Sequence, residues 1–211
     1  MTTDLSIAVD VMGGDGGVSA MLRGSAKALE EGIASRLILF GNEAEMRRIV
    51  AAEKITFPHG RIEFRHADDV ITMETKPSQA VRRGRNTSMW AAIEAVKDGT
   101  ANAIVSCGNT GALMAMSVLQ LRMIEGVDRP AITALWPNMQ GRQTVVLDVG
   151  ANVEATAEQL VQFAIMGEAY FRALTGKAKP SVGLLNVGAE ELKGHELIRT
   201  AATTLREADP E

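Results

Sequence analysis

Short apolar runs alternate with segments of helical periodicity along the first half of the chain. Leu5–Val11 has the pattern of a strand, and Val18–Glu31 carries apolar residues at helical spacing. Gly32 stands where a helix-ending glycine is expected. The same succession returns with a strand at Arg36–Phe40 and a helix at Glu43–Glu53. This order predicts parallel strands joined by crossover helices.

The alternation continues towards the carboxyl end. The remaining predicted elements are the strand Ile62–Phe64, the helix Asn86–Lys97, the strand Asn102–Cys107, the helix Ala112–Ile124, the strands Ala131–Trp136 and Thr144–Val149, the helix 155–174, the strand Val182–Asn186 and the helix 195–206. We therefore predict an α/β fold, an open three-layer α/β/α sandwich with a mainly parallel sheet. Because no linker or repeat interrupts the pattern, residues 1–211 are expected to form a single α/β unit.

Polar, glycine-rich loops follow several of the predicted strands. Their sequences are MGGDGG, CGNTG, DVGANVE and NVGAEELKG. In open α/β sheets, ligands bind beyond the carboxyl ends of the strands, where such loops gather. Any single loop is equally well explained as a tight turn that binds nothing. The presence of all these loops at one edge of the sheet favours a ligand site.

The loop MGGDGG does not match a known nucleotide-binding motif. The third glycine of the dinucleotide fingerprint falls on Ser19, and the Lys-Ser/Thr pair of a P-loop is missing. Asp15 would repel a phosphate directly beside it. We expect Asp10 and Asp15 to organise amide or cationic groups, while Gly13 and Gly14 let substrate approach the backbone.

The motif CGNTG places Asn109 or Thr110 at the start of a helix. Free N–H groups and the helix dipole make such a start an anion site, so Asn109, Thr110 and Gly111 are candidate substrate-binding residues. Simple capping is the alternative. Cys107 is distant in sequence from every histidine and is expected to be a buried, inert thiol.

The last two loops combine carboxylates, amides and a lysine. Asp148 and Asn152 lie in DVGANVE, and Asn186, Glu191 and Lys193 lie in or after NVG. A lysine in a cleft can neutralise phosphate charge or stabilise an oxyanion, and neighbouring carboxylates would fix its position. Lys193, Asp148 and Glu191 are thus the candidate catalytic residues. A solvated, charged helix start is the alternative.

Charge restricts the choice of partners. The formal net charge is −4, which argues against a nucleic-acid partner bound by phosphate neutralisation. A basic cluster nevertheless occurs within KPSQAVRRGRNTS and consists of Lys76, Arg82, Arg83 and Arg85. Such a cluster on an acidic protein would steer an anionic partner; a solvated loop is the alternative.

Composition also points to a compartment. A single cysteine excludes an internal disulfide framework and suits a reducing environment. The amino terminus lacks the basic residues of a signal peptide, and no apolar stretch approaches the length of a spanning helix. We expect a cytoplasmic protein.

The motifs VDVMGGDGG, KPSQAVRRGRNTSM, CGNTGALMA, DVGANVE and NVGAEELKG, in this order, closely resemble the bacterial phosphate acyltransferase family, PlsX. The resemblance extends from about Ile7 to Glu207. It implies formation of acyl phosphate from acyl-[acyl-carrier protein] and inorganic phosphate for phospholipid synthesis. It also implies a fold similar to that of the isocitrate and isopropylmalate dehydrogenases, and a homodimer.

The resemblance also suggests roles for the candidate residues. Asn109 and Thr110 would hold phosphate or the carbonyl oxygen, Lys193 would compensate phosphate charge, and the basic cluster would dock the acidic acyl-carrier protein. Phosphate itself would attack the thioester, so no protein nucleophile, metal or cofactor is expected. The product would pass to a membrane-bound glycerol-3-phosphate acyltransferase, and the protein would be cytoplasmic with peripheral membrane association.

The chain departs from the family pattern at several points. Cys107 stands where the family has alanine, Ala189 replaces a glutamate, and His195 replaces an asparagine. Family members are longer, so the chain resembles an N-terminal portion. Three rival interpretations remain: a nicotinamide-dependent dehydrogenase, a phosphate acetyltransferase using coenzyme A, and a non-catalytic scaffold for a membrane acyltransferase.

Overall fold

The computed structural model describes residues 5–188 and 195–208. Contacts within the chain group it into two compact units, Met1–Arg122 (unit 1) and Met123–Glu211 (unit 2). The single α/β unit inferred from the sequence therefore stays a prediction, and each unit is described by itself.

Unit 1 is built on a four-stranded sheet in which every pairing is parallel. The strands lie in the order β3-β2-β1-β4, so β1 is central and β4 is at one edge. Their bounds are Ser6–Asp10 for β1, Arg36–Gly41 for β2, Ile62–His66 for β3 and Ala103–Ser106 for β4. Since the strands are parallel, their carboxyl ends and the loops that follow lie at one edge of the sheet.

Helices cover both faces of this sheet. They are α1 (Gly17–Glu30), α2 (Glu43–Glu53), α3 (Pro77–Arg83), a 3₁₀ turn at Gly84–Asn86, α4 (Ser88–Lys97) and α5 (Thr110–Leu121). One face carries Val9 and Leu39 against Leu22 of α1 and Met46 of α2. The opposite face carries Ile38 and other buried residues against α4. The predicted three-layer α/β/α arrangement is confirmed in unit 1.

Local signals in the sequence fix the ends of the first two helices. After α1, Gly32 has φ +94°, and its N–H donates to Leu29 while the N–H of Ile33 donates to Ala28. This pair of bonds is a Schellman motif, which requires a left-handed residue. Asn42 caps α2, and its Oδ1 accepts a hydrogen bond from the Glu45 N–H.

The helices α5 and α3 differ most from the prediction. The helix predicted over Ala112–Ile124 begins two residues earlier, at Thr110, and ends at Leu121 because Arg122 leaves the helical region with φ +67°. The helix α3 was not predicted; Pro77 occupies its first turn, where a missing N–H costs nothing.

The described part of unit 2 contains a hairpin and two helices. The strands β5 (Thr133–Pro137) and β6 (Gln143–Leu147) pair antiparallel, which confirms the predicted adjacent strands. The helices are α6 (Ala157–Thr175), which starts with a Thr156–Gln159 capping box, and α7 (Glu196–Ala208). None of the helices within the described ranges is long and apolar enough to cross a bilayer.

The predicted strand Val182–Asn186 is wrong. These residues are described and belong to no strand. A strand exists only where a neighbour pairs with its backbone N–H and C=O groups. Among the described residues, the sheet of unit 2 contains only β5 and β6, and the apolar run VGLLN pairs with neither.

Candidate active site

Two glycine loops meet at the carboxyl ends of β1 and β4. The first glycine loop is residues 11–17, and the second is residues 107–109. A Cβ atom placed on Gly13 would lie 3.1 Å from the Cα of Gly108, and one placed on Gly14 would lie 2.8 Å from the carbonyl oxygen of Cys107. A Cβ atom at 2.8 Å has no room, and one at 3.1 Å would press on the neighbouring backbone, so the glycines allow the two backbones to touch.

Asp10 lies beneath this contact at the end of β1 and is only 1% exposed. Its Oδ1 accepts a hydrogen bond from the Ser88 hydroxyl at 2.6 Å, and its Oδ2 accepts one from the Ser106 hydroxyl at 2.7 Å. The Ser106 oxygen in turn accepts from the N–H of Gly108 at 3.1 Å. Asp15, the other acidic residue predicted here, is exposed on the first glycine loop.

Both the oxygen and the nitrogen of the Asn109 side chain form hydrogen bonds within the protein. Its Oδ1 caps α5 by accepting from the Ala112 N–H at 3.0 Å. Its Nδ2 lies within hydrogen-bonding distance of three carbonyl oxygens in a preceding loop, those of Thr72, Met73 and Thr75, at 3.2, 2.9 and 2.9 Å. Asn109 thus ties this loop to the second glycine loop.

The backbone at the start of α5 remains available. Thr110 is exposed and Gly111 is partly exposed. Among residues 5–188 and 195–208, no group accepts a hydrogen bond from either N–H. Unpaired N–H groups in the first helical turn attract anions.

The basic cluster lies on and beside α3, next to the start of α5. A Cβ atom on Gly111 would meet the Cγ of Pro77 at 3.0 Å, and Asn109 bonds to the loop that precedes α3. The four basic residues are exposed, and none forms an ion pair within the described ranges: Lys76, Arg82, Arg83 and Arg85. Their charges are available to a partner.

Cys107 is exposed, so the prediction of a buried thiol is wrong. The residue follows β4, which is the edge strand of the four-stranded sheet. On one side of β4, therefore, no described strand of unit 1 covers the residue. The backbone and Cβ of Cys107 lie beside Gly14, at the contact between the two glycine loops.

In unit 2, Asp148 follows β6 and gathers a loop around its carboxylate. Its oxygens accept from the N–H groups of Ile132, Ala151 and Asn152 at 2.8, 3.0 and 2.7 Å, and from the Asn152 amide at 3.0 Å. Partial burial acts to raise the pKa of Asp148, but these hydrogen bonds outweigh it and hold the pKa below its ordinary value.

This pKa predicts how stability depends on pH. A depressed folded-state pKa contributes stability above the unfolded pKa of about 3.9, and this contribution is lost as pH falls through the folded value. We expect Asp148→Asn to lower the free energy of unfolding at pH 7, with the difference from wild type shrinking towards pH 3. Urea titrations across this range measure it.

Glu154→Gln is the matched control, because Glu154 is exposed and forms no hydrogen bond among the described residues. It removes the same charge and should leave the unfolding curves nearly unchanged. An Asp148→Asn deficit that stays constant down to pH 3 would contradict the assignment.

A groove of about 1290 Å³ runs along unit 2 and is lined by residues of β6, α6, α7 and the segment 180–185. Asp148 and Asn152 line it. Asn186 follows this segment, and its Oδ1 accepts from the Val187 N–H at 2.9 Å. The predicted Glu191 and Lys193 lie outside the described residues.

The structure thus brings the predicted residues together in two groups. Asp10, the first glycine loop and the start of α5 meet in unit 1, and Asp148 contacts Asn152 in unit 2. Sequence reasoning missed Ser88 and Ser106. No three His, Cys, Asp or Glu side chains converge as a metal site in residues 5–188 and 195–208.

Comparison with known proteins identifies the family. The family model described as "Fatty acid synthesis protein" matches residues 5–210. The chain belongs to this family, which confirms the resemblance seen in the sequence.

Its relatives carry a more specific name. Proteins called "Phosphate acyltransferase" from Phenylobacterium zucineum and Caulobacter vibrioides are 54% and 51% identical to it, each over 98% of this chain. The chain spans 58% and 57% of their respective lengths.

Solved structures share the fold. A EutD phosphotransacetylase from Staphylococcus aureus matches with a TM-score of 0.65 at 16% identity, covering 98% of this chain and 65% of the other. A branched-chain phosphotransacylase from Enterococcus faecalis gives a TM-score of 0.54 at 14% identity, over 81% of this chain and 52% of the other. At such identities the likeness supports the α/β architecture alone.

Proposed function

We propose that the chain forms acyl phosphate from acyl-[acyl-carrier protein] and inorganic phosphate in phospholipid biosynthesis. The observation that carries this proposal is its 54% identity, over 98% of the chain, to a protein named phosphate acyltransferase. We further propose that the enzyme is a cytoplasmic homodimer that associates peripherally with the membrane and supplies a membrane-bound glycerol-3-phosphate acyltransferase.

The reaction needs positioning and charge stabilisation. A phosphate oxygen attacks the thioester carbonyl carbon, the carbon–sulfur bond breaks, and the pantetheine thiolate leaves and takes up a proton. Pre-organised N–H donors stabilise the oxyanion that forms on the carbonyl. The exposed start of α5 offers such donors at Thr110 and Gly111, beside a glycine loop that lets substrate approach the backbone.

Roles are also proposed for the remaining predicted residues. Lys193 compensates the charge of phosphate, and Glu191 or Asp148 orients it. Asn152 and Asn186 supply further hydrogen bonds. Asp15 is exposed on the first glycine loop and orients amide or cationic groups beside that loop.

The basic cluster is proposed to dock the acidic carrier protein. Exposed, unpaired cations accelerate encounter with an anionic partner, and their effect weakens with salt. We expect Arg82→Glu combined with Arg83→Glu to raise the KM for the carrier-bound substrate about tenfold at low salt, with kcat little changed. Steady-state kinetics at several salt concentrations measure this.

The double variant Arg48→Glu with Lys97→Glu is the control. Both residues are exposed in unit 1, form no ion pair among the described residues, and give the same change in net charge. Equal increases in KM for the two double variants would show that net charge matters and that the cluster does not.

Trapping the product tests the proposed reaction. The 211-residue chain and the Phenylobacterium zucineum relative are incubated in parallel with acyl-carrier thioester and phosphate, and hydroxylamine converts acyl phosphate to hydroxamate. Both should give hydroxamate, and acyl-coenzyme A should be the poorer donor. Hydroxamate from the relative alone would contradict activity of this chain and favour the scaffold interpretation.

A further inference from the structure

The carboxyl group of Asp10 is in an unusual environment for an acidic side chain. It is 1% exposed, yet no Lys, Arg or His in the described ranges forms an ion pair with it. Burying a carboxylate without a cation costs free energy, and hydrogen bonds offset only part of this cost. A contribution to the stability of the folded protein therefore does not explain why this position holds an acidic residue.

The hydrogen bonds of Asp10 connect three elements at the edge of the sheet. Ser88 is the first residue of α4 and is fully buried, whereas Ser106 is the last residue of β4. Each hydroxyl donates to a different carboxylate oxygen. The central strand is thus fastened at its carboxyl end to a neighbouring strand and to a helix.

The same carboxylate also supports both glycine loops. A Cβ atom on Gly13 would lie only 2.5 Å from Oδ2 of Asp10, so the first glycine loop rests directly on the carboxyl group. Through Ser106, which accepts from the Gly108 N–H, Asp10 also fixes the second glycine loop. Thr110, the first residue of α5, comes two residues after Gly108.

We propose that Asp10 is a positioning residue that sets the spacing of the two glycine loops and thereby aims the N–H groups at the start of α5 at phosphate. This inference rests on the proposed function. Because both oxygens are buried and engaged, Asp10 acts through the loops and does not touch substrate.

Electrostatics and positioning predict opposite effects of removing the charge. A buried negative charge near an anion site repels phosphate, so its removal alone would strengthen binding. If the carboxylate acts by accepting two hydroxyl hydrogen bonds, its replacement by an amide breaks this geometry and weakens binding. The direction of the change therefore separates the two roles.

The test is a titration of the ¹⁵N-labelled 211-residue chain with inorganic phosphate, followed by amide NMR. Asp10→Asn preserves the side-chain volume, Ser106→Ala removes the hydroxyl that links Asp10 to the Gly108 N–H, and Glu94→Gln removes an exposed charge in α4 as the control. Wild type and control should show saturable shifts at the Thr110 and Gly111 amides. Both site variants should raise the phosphate Kd about tenfold, the equivalent of one hydrogen bond to a charged group, while the thermal midpoint of Ser106→Ala stays near that of wild type.

The outcomes separate this inference from the proposed function. Unchanged or tighter phosphate binding by folded Asp10→Asn or Ser106→Ala would overturn the positioning role. An absence of saturable shifts in wild type would instead contradict the phosphate site on which the proposed function depends. If Asp10→Asn fails to fold, the Ser106→Ala Kd decides alone.

Discussion

Replacing Gly13 with alanine is expected to lower the rate of acyl-phosphate formation about 100-fold. The added methyl group would stand 2.5 Å from a carboxylate oxygen of Asp10 and 3.1 Å from backbone atoms of Gly108. Since the buried carboxylate and the backbone cannot give way freely, the two glycine loops must separate by some tenths of an ångström or more. Misplacement of about 1 Å can reduce a rate by such a factor.

Gly24→Ala provides the control for the same chemical change. Gly24 lies in α1, and a Cβ atom there meets nothing within 4 Å. Alanine at this position should stabilise the protein by about 0.5–1 kcal/mol because it restricts the unfolded chain and favours the helix, and activity should not change. If Gly13→Ala retained the wild-type rate while remaining folded, the contact between the glycine loops would have no role in the reaction.

Replacing Asn109 with alanine is expected to reduce the free energy of unfolding by about 2–3 kcal/mol. The change removes an N-cap, which contributes about 1 kcal/mol, and also the amide that bonds the loop carbonyls of Thr72, Met73 and Thr75. Each lost hydrogen bond adds about 0.5–1.5 kcal/mol, with the lower values applying where water can replace it. Urea denaturation measures the difference.

Asn42 offers a matched comparison within the same unit. Its Oδ1 caps α2 at 3.0 Å, the same distance as the Asn109 cap of α5. Only Asn109 also holds a distant loop, so Asn42→Ala should cost about 1 kcal/mol. Equal losses for the two variants would mean that the bonds to the loop before α3 contribute nothing to stability.

The architecture of unit 1 could be predicted because its signals are local. The succession from β1 to α2 follows from apolar periodicity and from turn residues such as Gly32 and Asn42, whose conformations the structure confirms. Whether Val182–Asn186 forms a strand could not be decided from local signals, and the predicted strand is absent from the structure. Its apolar run satisfies the local pattern, but pairing depends on a neighbouring strand that the pattern does not specify.

The candidate site was predicted in part. The glycine-rich motifs mark the two loops whose backbones touch, because close backbone contact demands glycine. The roles of individual side chains required coordinates. The sequence left the N-cap open between Asn109 and Thr110, and the bonds of Asn109 to residues 72–75 join positions more than 30 apart in sequence. Ser88 likewise reaches Asp10 across 78 positions, and no local pattern reports such a pair.

Isotopic labelling of phosphate tests the central claim most directly. The chain is incubated with acyl-carrier thioester and phosphate in which every oxygen is ¹⁸O, and released thiol and acyl phosphate are measured together, the latter by mass spectrometry. We predict one acyl phosphate per thiol, with the product retaining every heavy oxygen, because a phosphate oxygen attacks the carbonyl carbon. Thiol release that does not depend on phosphate, with free fatty acid as the product, would contradict this.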